Sequence, residues 1–166
     1  MVLRIIFGIF ALLSGFVTQA KHGSQSFDKE AYYTAMASGN LDKINAELTT
    51  LQSTSIPEKE AYQGALLMRK AGLLGIPAEK LKFFKSGRIK LESSLLKDSA
   101  NGEYRFLRLT IQEHAPKIVR YNLDLEKDSR YLRQIFKTLS PVVQQAIINY
   151  SKNSRILRPE DFRPGF

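Results

Sequence analysis

EYRFLRLTIQEHAPKIVRY, residues 103–121, is the stretch on which the fold turns. Its spacing predicts a helix stopped by Pro116, since proline removes a backbone donor and clashes with the preceding turn. Tyr104, Phe106, Leu107, Leu109 and Ile111 spread around most of its circumference. A helix that is apolar on most sides belongs at the centre of a core. Arg105, Arg108 and Gln112, at i, i+3 and i+7, form one polar stripe. The stripe has two readings. As a recognition surface, its planar guanidinium forks suit a carboxylate or an acidic peptide. As an internal tie, it pairs with acidic residues of neighbouring helices, for which Glu92, Asp98, Asp124 and Asp128 are the candidates. The second reading fits a middle helix better.

Working outward, the chain reads as about seven helices. Phe27 to Ser38 is helical and stops at Gly39, and Asn40 caps a second helix with the stripe Leu41, Ile44, Leu48, Leu51. So short a turn predicts an antiparallel hairpin. Thr50 to Ser55 reads as a linker. Ile56-Pro57 and Ile76-Pro77 each open a helix, with Pro in the favoured first turn and Glu58, Glu60 and Glu79 complementing the dipole. The fourth helix runs to about Lys97, with Leu81, Phe84, Leu91 and Leu95 on one face. Gly87 in its middle costs about 1 kcal/mol against alanine, which close approach of a neighbouring helix would offset. Lys117 to Leu123 is a less regular connector. Asp124 to Leu139 and Ser140-Pro141 onward supply the last two helices. No period-two alternation persists, so no sheet is expected.

Residues 1–20 have the form of a secretory signal peptide: Arg4, an apolar run from Ile5 to Val17, and Thr18-Gln19-Ala20 before the expected cut. Residues 21–26 read as a disordered linker, 27–154 as the helical domain and 155–166 as an irregular tail. The mature chain is then expected to be exported, periplasmic or secreted, with no membrane span. The absence of cysteine excludes disulfides, thiol catalysis and cysteine metal sites. Arg4 is the only charge in the leader, leaving 24 basic and 16 acidic residues beyond it. Residues 21–79 hold 6 basic and 7 acidic residues, whereas residues 80–166 hold 18 and 9. The excess positive charge of the second half suits anionic lipid, acidic polysaccharide or an acidic protein. Export argues against nucleic acid.

The junction Lys90 to Leu109, KLESSLLKDSANGEYRFLRL, resembles that of a tetratricopeptide (TPR) repeat, with Leu91, Leu95, Asp98, Asn101 and Tyr104 in the expected places. Ser99 stands where that family usually has proline. Residues 60–75, with Tyr62, Gly64, Ala65 and Gly72, suit the first helix of such a repeat. The resemblance implies an all-α stack of antiparallel helical hairpins that binds a protein or peptide on a concave face, each hairpin burying its apolar side against the next. The stretch FFKSGRIKLESSLLKDSANGEYRFLRLTIQEHAP is also similar to a group of uncharacterised small exported helical proteins of the Bacteroidetes type.

Beyond Arg105, Arg108 and Gln112, two further residues are candidates for binding. Arg88 falls among Leu81, Phe84, Leu91 and Leu95, so it must pair or snorkel, and an acidic group on an adjacent helix is the expected partner. Phe83 lies in the basic run Lys80, Lys82, Lys85, Arg88, Lys90 and reads as a partner-surface aromatic or as packing against the next hairpin. The basic residues surround that helix, which disfavours a membrane-surface role. His22 and His114 lack the companions of a metal or nucleophile motif, and His114 reads as a helix C-terminal cap. No phosphate loop, paired carboxylates or serine elbow appears. These readings converge on a non-catalytic exported module without cofactor or metal that binds a protein or peptide in the cell envelope. A basic surface for anionic lipid or polysaccharide is the alternative, and a small hydrolase ranks third.

Overall fold

A computed structural model describes residues 27–162. The expected signal peptide, the 21–26 linker and residues 163–166 of the tail lie outside that range. Among the described residues the fold is all-α: α1 Lys29–Ala37, α2 Leu41–Ser53, α3 Lys59–Leu73, α4 Pro77–Lys97, α5 Gly102–His114, α6 Leu125–Ile135 and α7 Pro141–Ser151. Short 3-10 turns cover Lys117–Val119, Phe136–Thr138 and Pro159–Phe162.

Local chemistry sets most of the boundaries. The Asp28 carboxylate accepts from the N–H groups of Glu30 and Ala31, Asn40 from those of Asp42 and Lys43, and Asn101 from that of Tyr104. Each side chain satisfies donors that the first helical turn leaves unpaired. Gly39 takes φ +60°, a left-handed conformation that glycine adopts freely, and ends the α1–α2 turn. Three boundaries differ from expectation, one of them that of α6, which gives way after Ile135 to the 3-10 turn Phe136–Thr138 within the expected Asp124–Leu139 helix. α2 runs through Thr50 to Ser53, and Thr49, Thr50 and Thr54 turn their hydroxyls back onto carbonyls four residues earlier. α3 opens at Lys59 rather than at Ile56-Pro57.

From α1 to α6, helices adjacent in sequence pack together, and α3 with α4 is the most extensive pairing. Gly64 and Gly87 face each other at that crossing. A Cβ on Gly64 would lie 2.8 Å from the Gly87 carbonyl oxygen, and one on Gly87 would lie 2.5 Å from that of Gly64. The glycine in mid-α4 thus allows the predicted close approach. α3 also meets α5, and α1 meets α7.

The core has two clusters, and α5 lies between them. Tyr104, Leu107 and Ile111 join Tyr32, Tyr62, Leu66 and Leu91. Phe106 and Leu109 join Leu132, Phe136, Ile147 and Leu157. This accounts for apolar residues on most sides of α5. Leu81 departs from the predicted α4 core face and is exposed, because the first half of α4 is covered on one flank only. Leu157 and Phe162, in the segment beyond α7, are buried in the second cluster.

Candidate functional site

The polar stripe of α5 meets carboxylates of α4 and α6. Arg105 Nη1 donates to Asp128 Oδ1 at 2.9 Å, and its Nε donates to the Ser99 carbonyl at 2.8 Å. Its guanidinium also stacks on the Tyr131 ring, 4.4 Å from the centroid. Arg108 grips Asp128 with both edges of its fork, Nε to Oδ2 at 2.7 Å and Nη2 to Oδ1 at 2.9 Å. Its Nη1 lies 3.2 Å from Glu92 Oε2 and 3.3 Å from Asp124 Oδ2. Burial alone would lower the Arg108 pKa, but the hydrogen bonds and charge of Asp128, with Glu92 and Asp124 behind it, raise it above the usual arginine value. Three of the four acidic candidates therefore face the stripe, and Asp98 does not. Both guanidinium forks are turned inward.

Two further carboxylates on α5 tie other parts of the chain to it. Glu103, 9% exposed, accepts from the hydroxyls of Tyr33 and Tyr62 at 2.8 and 2.7 Å and from Lys29 Nζ at 2.9 Å. Burial, then the charge of Glu103 and its bond, push the Tyr62 hydroxyl far above the ordinary tyrosine range. Glu113 accepts from the Tyr150 hydroxyl, the Ser154 hydroxyl and the Arg155 N–H at 2.6–2.7 Å. Burial alone would raise its pKa, but these bonds and the charge of His114 hold it below the usual glutamate value. Neither role is readable from sequence, where Glu103 is only a first-turn acid and Glu113 an acid near a helix end. The tyrosines that meet them come from helices distant in the chain.

Gln112, the third stripe residue, is 3% exposed, and its Oε1 has no hydrogen-bond partner. Arg88 does not find the expected acidic partner. It is exposed and lies 4.8 Å from the centre of the Tyr121 ring. Tyr121 in turn donates its hydroxyl to Glu92 Oε1 at 2.5 Å. Phe83 is half-buried, with Lys70 Nζ 4.4 Å from its ring centre. His114 turns its ring toward Tyr150, Nε2 to Oη 3.4 Å, rather than capping the helix.

Glu92 and Asp124 stand between two clefts. One, of about 150 Å³, is lined by Arg105, Arg108, Leu95, Leu96 and Lys127. The other, of about 120 Å³, is lined by Arg88, Gln112, Arg120, Tyr121 and Leu123. The structure thus draws Arg88 and Gln112 into one cleft, places Arg105 and Arg108 on the other, and leaves Phe83 outside both. Arg120, not singled out by sequence, has φ +46°, rare for a residue with a side chain. Among the described residues no group of three or more His, Asp or Glu is placed to hold a metal ion, and no helix is long and apolar enough to cross a membrane. Comparison with known proteins finds no match for this chain among family models, curated proteins or solved structures.

Proposed function

We propose that this chain is an exported, non-catalytic helical binding module for a protein or peptide partner in the cell envelope, working through the outer face of α4 and the α5–α6 connector. The observation that supports this reading is where large apolar side chains are exposed. Among the described residues they are Ile76, Leu81, Ile89 and Leu96 at or on α4, with Ile118 and Leu123 in the connector. Isolated exposed apolar residues are ordinary, but four at or on one helix, with two more in one connector, support an interaction surface there. Lys80, Lys82, Lys85 and Arg88 share the helix, so the complementary partner is apolar with an acidic rim. The tetratricopeptide-like stacking belongs to the same proposal and draws on the α3–α4 and α5–α6 pairings.

Replacing both Ile89 and Leu96 by glutamate tests it. Both are well exposed, so the fold should tolerate the change. Wild-type protein should recover a partner from an envelope fraction, and the double variant should lose it. Equal recovery by both proteins overturns the reading. Retention on anionic vesicles that collapses from low salt to about 1 M would instead favour the basic surface, with anionic lipid or polysaccharide as its target.

A further inference from the structure

The cleft beside Gln112 gathers charged side chains that the core does not use. Its lining charges balance: Arg88 and Arg120 against Glu92 and Asp124. A simple anion placed there meets two carboxylates, and a simple cation meets two guanidinium groups. A ligand carrying both charges meets a partner at each end.

Tyr121 orders these charges along α4. Its ring lies under the Arg88 guanidinium, and its hydroxyl reaches Glu92, one turn further along the same helix. Arg88 and Glu92 therefore meet different parts of the Tyr121 side chain, its ring and its hydroxyl. Neither Arg88 nor Arg120 has an ion pair among the described residues, so both keep N–H donors for a carboxylate. On the acceptor side, Glu92 and Asp124 share the Arg108 guanidinium, and each carboxylate retains lone pairs. These two carboxylates together select an ammonium group. At about 120 Å³ the cleft is well below the roughly 300 Å³ where drug-sized sites begin.

We propose that this cleft binds a small zwitterion, a free α-amino acid, with its carboxylate on Arg88 and Arg120 and its ammonium on Glu92 and Asp124. The cleft shares Arg88 and Leu123 with the proposed docking surface, whereas Arg120, Glu92 and Asp124 are not among the residues assigned to that surface.

The full chain, titrated with each of the free L-amino acids and followed by amide NMR shifts, tests this. At least one amino acid should shift residues lining the cleft, with a Kd below about 1 mM. The N-acetylated form of that amino acid lacks the ammonium, and its amide lacks the carboxylate. Each should bind at least about tenfold more weakly. Arg120→Gln, at an exposed site, should weaken binding by a similar factor. The proposal fails if no amino acid shifts these residues at about 10 mM, or if either blocked form binds as well as the parent. It also fails if Arg120→Gln binds as wild type does. Loss of partner capture in the Ile89 and Leu96 variant with amino-acid binding intact would separate the two sites.

Discussion

Asp128 is fully buried and takes hydrogen bonds from two guanidinium groups at once. Its replacement by asparagine leaves Arg105 and Arg108 buried with too little negative charge, a loss of about 3–5 kcal/mol for breaking a buried pair. Urea unfolding should read that loss. The pair of Lys90 with Glu60, whose side chain is half exposed, is the contrast. Glu60→Gln should cost less than about 1 kcal/mol. Glu113 behaves differently because its effect depends on pH. Its folded pKa lies below the usual value of 4.5, so its contribution is full above that value and is lost as pH falls through the lower, folded one. Wild type should therefore lose more stability than Glu113→Gln when acidified below about 4.5. Parallel loss in both proteins would show that Glu113 is not the titrating group. At this scale sequence reading goes part of the way. Arg105 and Arg108 are legible as a paired stripe because their spacing lies within one helix, and Asp128 is among their plausible partners. The aromatic partner of Arg88 and the tyrosines of Glu103 and Glu113 are not legible, because each contact joins segments that only tertiary packing brings together.

Among the helices, the α3–α4 crossing is the most constrained contact. At Gly87, alanine gains up to about 1 kcal/mol in helix propensity. Its methyl group would press on the Gly64 carbonyl and on Met68. Overpacking of this kind costs about 1–3 kcal/mol, so Gly87→Ala should be net destabilising. Gly72 lies in α3 with open space around a would-be Cβ, and Gly72→Ala should stabilise by a few tenths to about 1 kcal/mol. Thermal unfolding of the two variants should move in opposite directions. A shift of the same sign in both would mean that propensity rather than contact governs Gly87. The ends of α4 are legible from Pro77 and Lys97, and so is the need for a close neighbour at Gly87. The outer position of Leu81 is not, because its spacing from Phe84 and Leu91 is that of a core residue. Only the packing of the other helices decides which flank of α4 they cover.

Across the whole molecule, the segment beyond α7 contributes to the fold despite its irregular sequence. Leu157 is fully buried in the second cluster, and Ser154 and Arg155 bond to Glu113. Leu157→Ala should cost about 2–5 kcal/mol. A denaturation midpoint within error of wild type would show that the second cluster does not need this segment. The prolines and charges of residues 155–166 read as a tail because the apolar residues there, Ile156, Leu157, Phe162 and Phe166, have no helical periodicity to reveal which are core. The all-helical architecture was legible because caps and proline starts are local signals. The contact of α1 with α7 was not, since it joins the two ends of the described chain. α5 gives its residues to both clusters, and its carboxylates and arginines bind segments on every side. Neither cluster can open without stripping one face of that helix. The two halves are therefore coupled into a single cooperative unit, and a disturbance that melts one lowers the melting temperature of the other.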